Sequence, residues 1–377
     1  MSEDTHPEPD RVEGAPHPRD TARLIGQGAA ERAFLDAVAA GRLHHAWLLT
    51  GPLGVGKATL AWRIARFLLA TPEEDGGGLF GTPAPTPDTL DIAPDHPVAR
   101  RIHAGSEGRL FVLRRAWDDE RKRLKTVITV DEVRRMKNFL HMSSTDGGRR
   151  AVIVDPVDEM NVAAANALLK MLEEPPHGVT FLLVSHQPSR LLPTIRSRCR
   201  ELRLATLRPD DLADAMAQAG ADVGDGPALA VLAAGSVGEA IRLANLDGLD
   251  TYGAIVALFS TLPQLDRTRA LKLAEAAAQR GADEKLDLLL SLMDLFLARL
   301  ARTGALGSAG AEAAPGEAAL LARLAPDADA GRRWAALHQS LGARARHGRA
   351  VNLDPAALIL DMVLKIDEAA RGAGVRA

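Results

Sequence analysis

The chain has 377 residues, 46% of them hydrophobic and 3% aromatic, with a formal net charge of −3. Domains usually hold roughly 100–200 residues, so two or three are expected here. The scarcity of aromatic rings excludes base stacking as a main device, and the near-neutral charge excludes a uniformly basic DNA-coating protein while leaving room for a local basic patch.

The first twenty residues, "MSEDTHPEPDRVEGAPHPRD", are polar and proline-rich, without the apolar core of a signal peptide, and are predicted to be a disordered tail. A helix is expected over "AAERAFLDAVAAGRL", with Phe34, Leu35 and Val38 on one face. "AWLLT" then reads as a short buried strand. It leads into the glycine-rich "GPLGVGK" and the helical "ATLAWRIARFLLA". Residues 71–97, rich in Gly, Pro and Thr, read as a loop.

Residues 96–150 carry 14 Lys and Arg against 7 Asp and Glu. Within them "RLFVLRRAW" and "RLKTVITV" read as two strands around the turn "DDERK", a basic hairpin inserted at about 96–130, followed by the helix "VDEVRRMKNFLHMSS". Two further buried strands, in "RRAVIVDPVDEMN" and "GVTFLLVSHQP", flank a helix, "AAANALLKMLEEPP", that Pro175 and Pro176 stop. "SRLLPTIRSRCRELRLATL" gives a short helix, a basic turn and a last strand. Strands alternating with helices predict an α/β domain with a parallel sheet covered on both faces, over residues 21–205.

After Ala205 the strand signal stops. Three short helices over 206–248 form a small lid, and an all-helical domain occupies 249–377, interrupted by the Gly/Ala-rich stretch 304–316. No run of about 18 uncharged apolar residues is present, so no membrane span is expected. With the single cysteine, Cys199, implying no oxidising compartment, a cytoplasmic protein is expected.

Gly51 to Thr59 nearly matches the phosphate-binding pattern G-x-x-x-x-G-K-[ST]. Gly51, Gly54 and Gly56 allow a tight turn whose backbone N–H groups point at phosphate oxygens, the following helix adds its positive end, and Lys57 reaches the β/γ-phosphates. The hydroxyl that ligates Mg2+ in this pattern is replaced by Ala58. Thr59 is one residue on, rotated by about 100° around the helix. The alternative is a glycine turn without a ligand.

Asp155 ends a buried strand, where such folds hold Mg2+. The next position, where many relatives of this type carry a water-orienting Glu, is Pro156; Asp158 or Glu159 are the alternative acids. Arg198 in "IRSRC" stands after the third strand, suited to neutralise charge on a γ-phosphate across a subunit boundary; the bland alternative is a surface arginine.

These segments, "AWLLTGPLGVGKATLA", "NALLKMLEEPP" and "FLLVSHQPSRLLPTIRSRC", resemble the AAA+ clamp-loader family of bacterial DNA polymerase III over roughly residues 22–245. The resemblance implies an AAA+ P-loop domain, a lid and a helical collar. It implies an arginine finger, Arg198 with Ser197, acting in trans on a neighbour's ATP site, and it sets Lys57 and Asp155 on the nucleotide-binding positions. A further family arginine, in a G-S-x-R string, is replaced by Gly238, with Arg242 one turn on, and Ser185 and His186 fall on the polar sensor position.

Three catalytic parts are thus missing, which implies a stator subunit without turnover. Required cofactors are none; binding of ATP and Mg2+ is doubtful. The implied partners are the gamma/tau motor subunits and delta, the sliding clamp indirectly, and primed DNA through the ring, which Arg134, Arg135 and Lys137 face. Relatives hold zinc with four cysteines after the phosphate-loop helix. Here His96 and His103 are too few, so no zinc is expected. The rivals are an active motor ATPase of the same family, which needs a hydroxyl at 58, an acid at 156 and an arginine at 238, and a small-molecule phosphotransferase, which does not explain the helical tail.

Overall fold

A computed structural model of the chain describes residues 7–71, 87–141, 148–221, 224–279 and 283–372. Residues 1–6 of the predicted tail, most of the predicted 71–97 loop and the last turn predicted for the helix ending near 144 lie outside them. Two compact units are present: Met1–Ala221 with Gly235–Glu239, and Asp222–Ala234 with Ala240–Ala377.

The first unit opens with α1 (Gly28–Ala39), β1 (Ala46–Thr50) and α2 (Lys57–Ala70). It continues with α3 (Pro97–His103), β2 (Leu110–Leu113), β3 (Trp117–Asp118), β4 (Arg123–Leu124) and α4 (Val130–His141). Then follow β5 (Arg150–Val154), α5 (Val162–Glu173), β6 (Val179–Ser185), α6 (Pro193–Arg196), β7 (Arg200–Arg203) and α7 (Pro209–Ala219). Five parallel strands stand in the order β2-β5-β6-β1-β7. β1 and β6 are buried along their whole length, which is why they read as unbroken apolar runs rather than alternating ones.

Local chemistry sets the helix ends. Thr129 and Glu132 open α4 as a capping box, Glu132 accepting from the Thr129 N–H at 2.8 Å. The Asn161 side-chain Oδ1 accepts from Ala164 N–H at 2.8 Å to cap α5.

Two sequence expectations change. The predicted basic hairpin is only β3 with β4; Leu110–Leu113 instead pairs in parallel with Ala151–Val154 as the edge strand of the main sheet. An apolar run of four can serve either pairing, and the choice rests on the neighbouring strand rather than on local sequence. The predicted disordered tail is ordered from residue 7: His17 is buried, its ring edge-on to Trp62 at 5.5 Å. The polar residues of this segment find partners in the domain instead of water, among them Arg114 with Glu8 and Asp10.

The predicted lid is divided between the units. α7 goes with the first, and α8 (Gly226–Ala233) with the second. α9 (Val237–Asn245) starts in the first and ends in the second. Residues 235–239 return to the first because Leu207 N–H donates to Gly235 O at 2.8 Å and Gly238 N–H to Gly54 O at 3.0 Å.

The second unit continues with α10 (Gly248–Phe259), α11 (Arg267–Ala277), α12 (Asp283–Leu306), α13 (Glu317–Leu324), α14 (Ala328–Ala350) and α15 (Pro355–Gly372). Its core holds the fully buried Glu317, which accepts from Tyr252 Oη at 2.5 Å and Ala313 N–H at 2.7 Å and pairs with Arg299 Nε at 2.5 Å. A buried carboxylate is tolerated only when so fully partnered. The same contacts fix the stretch 304–316, whose Ala313 and Ala314 are buried. Among the described residues no helix is long and apolar enough to cross a membrane.

Candidate nucleotide site and exposed arginine

The loop between β1 and α2 lies at the C-terminal edge of the sheet, where parallel α/β sheets bind ligands. Gly51, Gly54 and Gly56 all take positive φ, at 143°, 77° and 99°. At Gly54 the need for glycine is steric as well: a Cβ there would stand 2.3 Å from Ser236 Oγ and 3.0 Å from Gly238 Cα. The loop is held by Ser236 Oγ donating to Leu53 O at 2.8 Å and by Gln27 Nε2 donating to Val55 O at 3.1 Å and Ala205 O at 2.7 Å. Neither Gln27 nor Ser236 was identifiable as a loop clamp from sequence, since their partners are 28 to 183 residues away.

Lys57, 3% exposed, turns its ammonium onto the loop itself, donating to Gly51 O at 2.7 Å and to Pro52 O. Burial pushes it down to about 8, against the attraction of Asp155 and Asp158. Asp155, 5% exposed, is pushed up to about 7 by burial and by Asp10, with Lys57 opposing. Ala58 and Thr59 are half-buried at the start of α2.

The two alternative acids are both engaged. Asp158 accepts from Ser185 Oγ at 2.7 Å, from Gln187 N–H at 3.2 Å and from His186 N–H, so it caps the end of β6. Glu159 pairs with Arg115 Nε at 2.7 Å. Ser185 and His186 are therefore brought to the site but bound to Asp158, and burial beside Lys57 pushes the His186 imidazole down to about 4.

The position of the missing sensor arginine has a steric account. Gly238 packs so close to the phosphate loop that a Cβ on it would stand 3.0 Å from Gly54 Cα, so a side chain there requires Gly54 to give by a few tenths of an ångström. Arg242 falls one turn further along α9, in the second unit.

An ATP–Mg2+ complex asks this loop for a hydroxyl oxygen at 58 and the strand end for an ionised carboxylate. The methyl of Ala58 offers no oxygen, whereas Asp155 still stands at the strand end. The loop therefore lacks one of the two oxygen ligands that the pattern gives to Mg2+. Among the described residues no cluster of His, Cys, Asp and Glu suits a metal ion. His96 accepts from Val98 N–H at the head of α3, and His103 faces Asp20 at 2.6 Å.

Arg198 follows α6, which Ile195 anchors in the core at 1% exposure. Its guanidinium is held at the surface, Nη1 donating to Thr194 O at 2.9 Å and Nη2 pairing with Glu173 Oε1 at 2.9 Å, with 36% of the side chain exposed. Ser197 is exposed and donates to Thr194 O. Cys199 beside it is half-buried, its thiol pushed up to about 12 by burial, so it is not a nucleophile. On α4, Arg134 pairs with Asp131 and Arg135 with Glu132, and Lys137 is exposed.

Glycine loop, strand-end carboxylate and strand order define the class: a P-loop domain of the AAA+ type. Residues 26–208 match the family described as DNA polymerase III, delta subunit. The chain is 40% identical over 155 residues to the DNA polymerase III subunit delta' of Pseudomonas aeruginosa, covering 41% of each chain. It is 28% identical over 283 residues to the subunit tau of Escherichia coli, covering 72% of this chain and 40% of that one. Both matched stretches span less than half of these relatives' lengths. A DNA polymerase III gamma subunit-related protein of Thermotoga maritima superposes with a TM-score of 0.42 at 17% identity, covering 89% and 99% of the two chains. Over residues 26–208 the chain is therefore similar to the delta-prime subunits of DNA polymerase III.

Proposed function

We propose that this chain is the stator of a clamp loader: it hydrolyses no ATP itself and supplies Arg198 to the nucleotide site of a neighbouring subunit. The observation that carries this reading is the contrast between its two halves of an ATPase site. The half that serves its own nucleotide lacks the hydroxyl at 58, the acid at 156 and the arginine at 238, and its nearby acids are bound elsewhere. The half that serves a neighbour is intact, with Arg198 at the surface. Retention of the outward-facing part with loss of the inward-facing one suits a subunit that stimulates turnover without performing it.

In this reading the partners are gamma/tau-type motor subunits and delta, the helical unit joins the collar, and the assembly loads a sliding clamp on primed DNA in the cytoplasm. Arg134, Arg135 and Lys137 contact phosphates without reading sequence. The ion pair on Arg134 does not oppose that, because exposed pairs within a helix contribute only about 0.3–0.5 kcal/mol; Arg135 keeps an exposed guanidinium although its partner Glu132 is buried.

The purified chain is expected to hydrolyse ATP at the background rate, and Lys57→Ala to leave that rate unchanged. Turnover that Lys57→Ala abolishes, measured by phosphate release, identifies an active motor subunit instead.

A further inference from the structure

One segment of the first unit has no part in the reading above. Arg114 directly follows β2 and Asp155 directly follows β5. The strands pair Leu113 with Val154, and Asp155 N–H donates to Leu113 O at 2.9 Å. The guanidinium and the carboxylate therefore leave adjacent strands side by side, at the edge of the sheet that carries the phosphate loop.

Arg114 is taken by the start of the chain. Its Nη1 pairs with Asp10 Oδ1 at 2.5 Å and its Nη2 with Glu8 Oε1 at 2.7 Å. His17 Nε2 stands 3.3 Å from both carboxylates, and the Asp10 side chain is 1% exposed. From there the chain crosses the loop. A Val12 methyl lies 3.7 Å from where Gly238 would carry its Cβ, over the Gly54–Gly238 contact, and Leu24 Cδ1 lies 2.7 Å from the same point on Gly56. Arg19 O accepts from Arg66 on α2.

A pair of carboxylates on a guanidinium, at the rim of a phosphate loop, has the charge and the acceptor geometry of a phosphate group. We propose that residues 8–12 are a built-in acidic plug of the nucleotide cleft, Glu8 and Asp10 holding Arg114 in place of a nucleotide's phosphates while Val12 covers the loop. The plug concerns binding and goes beyond the stator reading, which concerns turnover. Its cluster is cohesive: an almost fully buried carboxylate is stable only with its partners in place, so Asp10, Glu8, Arg114 and His17 hold or release together.

The test is a titration with a fluorescent ATP analogue, with Mg2+ and with EDTA, of the full chain, of the Glu8→Ala/Asp10→Ala double variant and of a chain lacking residues 1–16. Both altered chains are expected to bind at least ten-fold more tightly than the full chain. In the absence of nucleotide, the amides of residues 51–57 are expected to exchange hydrogen faster in both. Equal affinity in all three, including no detectable binding in any, overturns the plug, as does unchanged exchange over 51–57. Phosphate release from the same samples separates the two readings: turnover in an unplugged chain overturns the stator, whereas a gain in affinity without turnover upholds both.

Discussion

A clamp loader reconstituted with Arg198→Ala in this chain is expected to assemble normally and to lose DNA-stimulated ATP hydrolysis at the one site that Arg198 serves. Two magnitudes set the expectation. An arginine finger contributes about 10³–10⁵ in turnover at its site, so that site becomes silent and the assembly loses its share of the total. The local cost of the substitution is small. The Arg198–Glu173 pair lies at the surface, where such pairs contribute about 0–1 kcal/mol, and no core contact is lost. For the same reason Arg198 can leave Glu173 and Thr194 for a neighbour's phosphate at little expense.

Arg63 shows the opposite case. It is 5% exposed and bound to Glu31, Asp91 and Ala22 O, so it braces its own domain and cannot emerge. Arg198→Lys is expected to rescue poorly, because a point charge does not reproduce the planar fork that engages a phosphate bidentately. Hydrolysis by the reconstituted assembly that stays at the wild-type level with Arg198→Ala removes the finger role.

What sequence reasoning reaches is what is local. β1 and β6 are legible because a strand buried on both faces is a continuous apolar run, and the phosphate loop because its turn demands glycines at fixed spacing. The end of α5 is legible because proline cannot continue it. Ala58, Pro156 and Gly238 are legible as departures for the same reason: each stands at a fixed offset from a motif.

What escapes is set by residues far apart in the chain. Arg114 reads as one more charge in a basic stretch until its partners are found 104 and 106 residues away. Composition alone marks residues 7–20 as a solvated tail, yet the Asp10 side chain is buried against Arg114 of the domain, and His17 is buried beside Trp62 and the tail's own Glu8 and Asp10. Gly238 reads as a lost arginine, and only the approach of Gly54 shows how tightly that position is packed. Leu110–Leu113 reads as half of a hairpin but pairs in parallel with Ala151–Val154, because an edge strand of four residues carries no local mark of its partner. The Gly/Ala stretch 304–316 looks like a linker, but Glu317 and Arg299 tie it down.

Asp155→Asn is expected to stabilise the first unit at pH 8 relative to the wild type, and to do so by about 2–3 kcal/mol more there than at pH 5. The direction follows from the environment of the carboxyl. Burial, Asp10 and Glu159 disfavour its charge and outweigh Lys57 and Arg114, which favour it, so its folded value rises from 3.8 to about 7. Between those two values the folded chain binds more protons than the unfolded chain. Stability therefore falls as pH rises through that window, and above about 7 the full cost of the buried charge is present. Asparagine keeps the shape and removes the ionisation, so the gap between variant and wild type opens from pH 4 and levels off near pH 8. Denaturant unfolding followed by hydrogen exchange of the β5 amides reads the gap in the unit concerned. A gap that is the same at pH 5 and pH 8, or a variant less stable than wild type at pH 8, means that Asp155 is ionised and well partnered in the free chain. In that case the strand end is poised for a cation, and only the methyl of Ala58 departs from a cation-binding site.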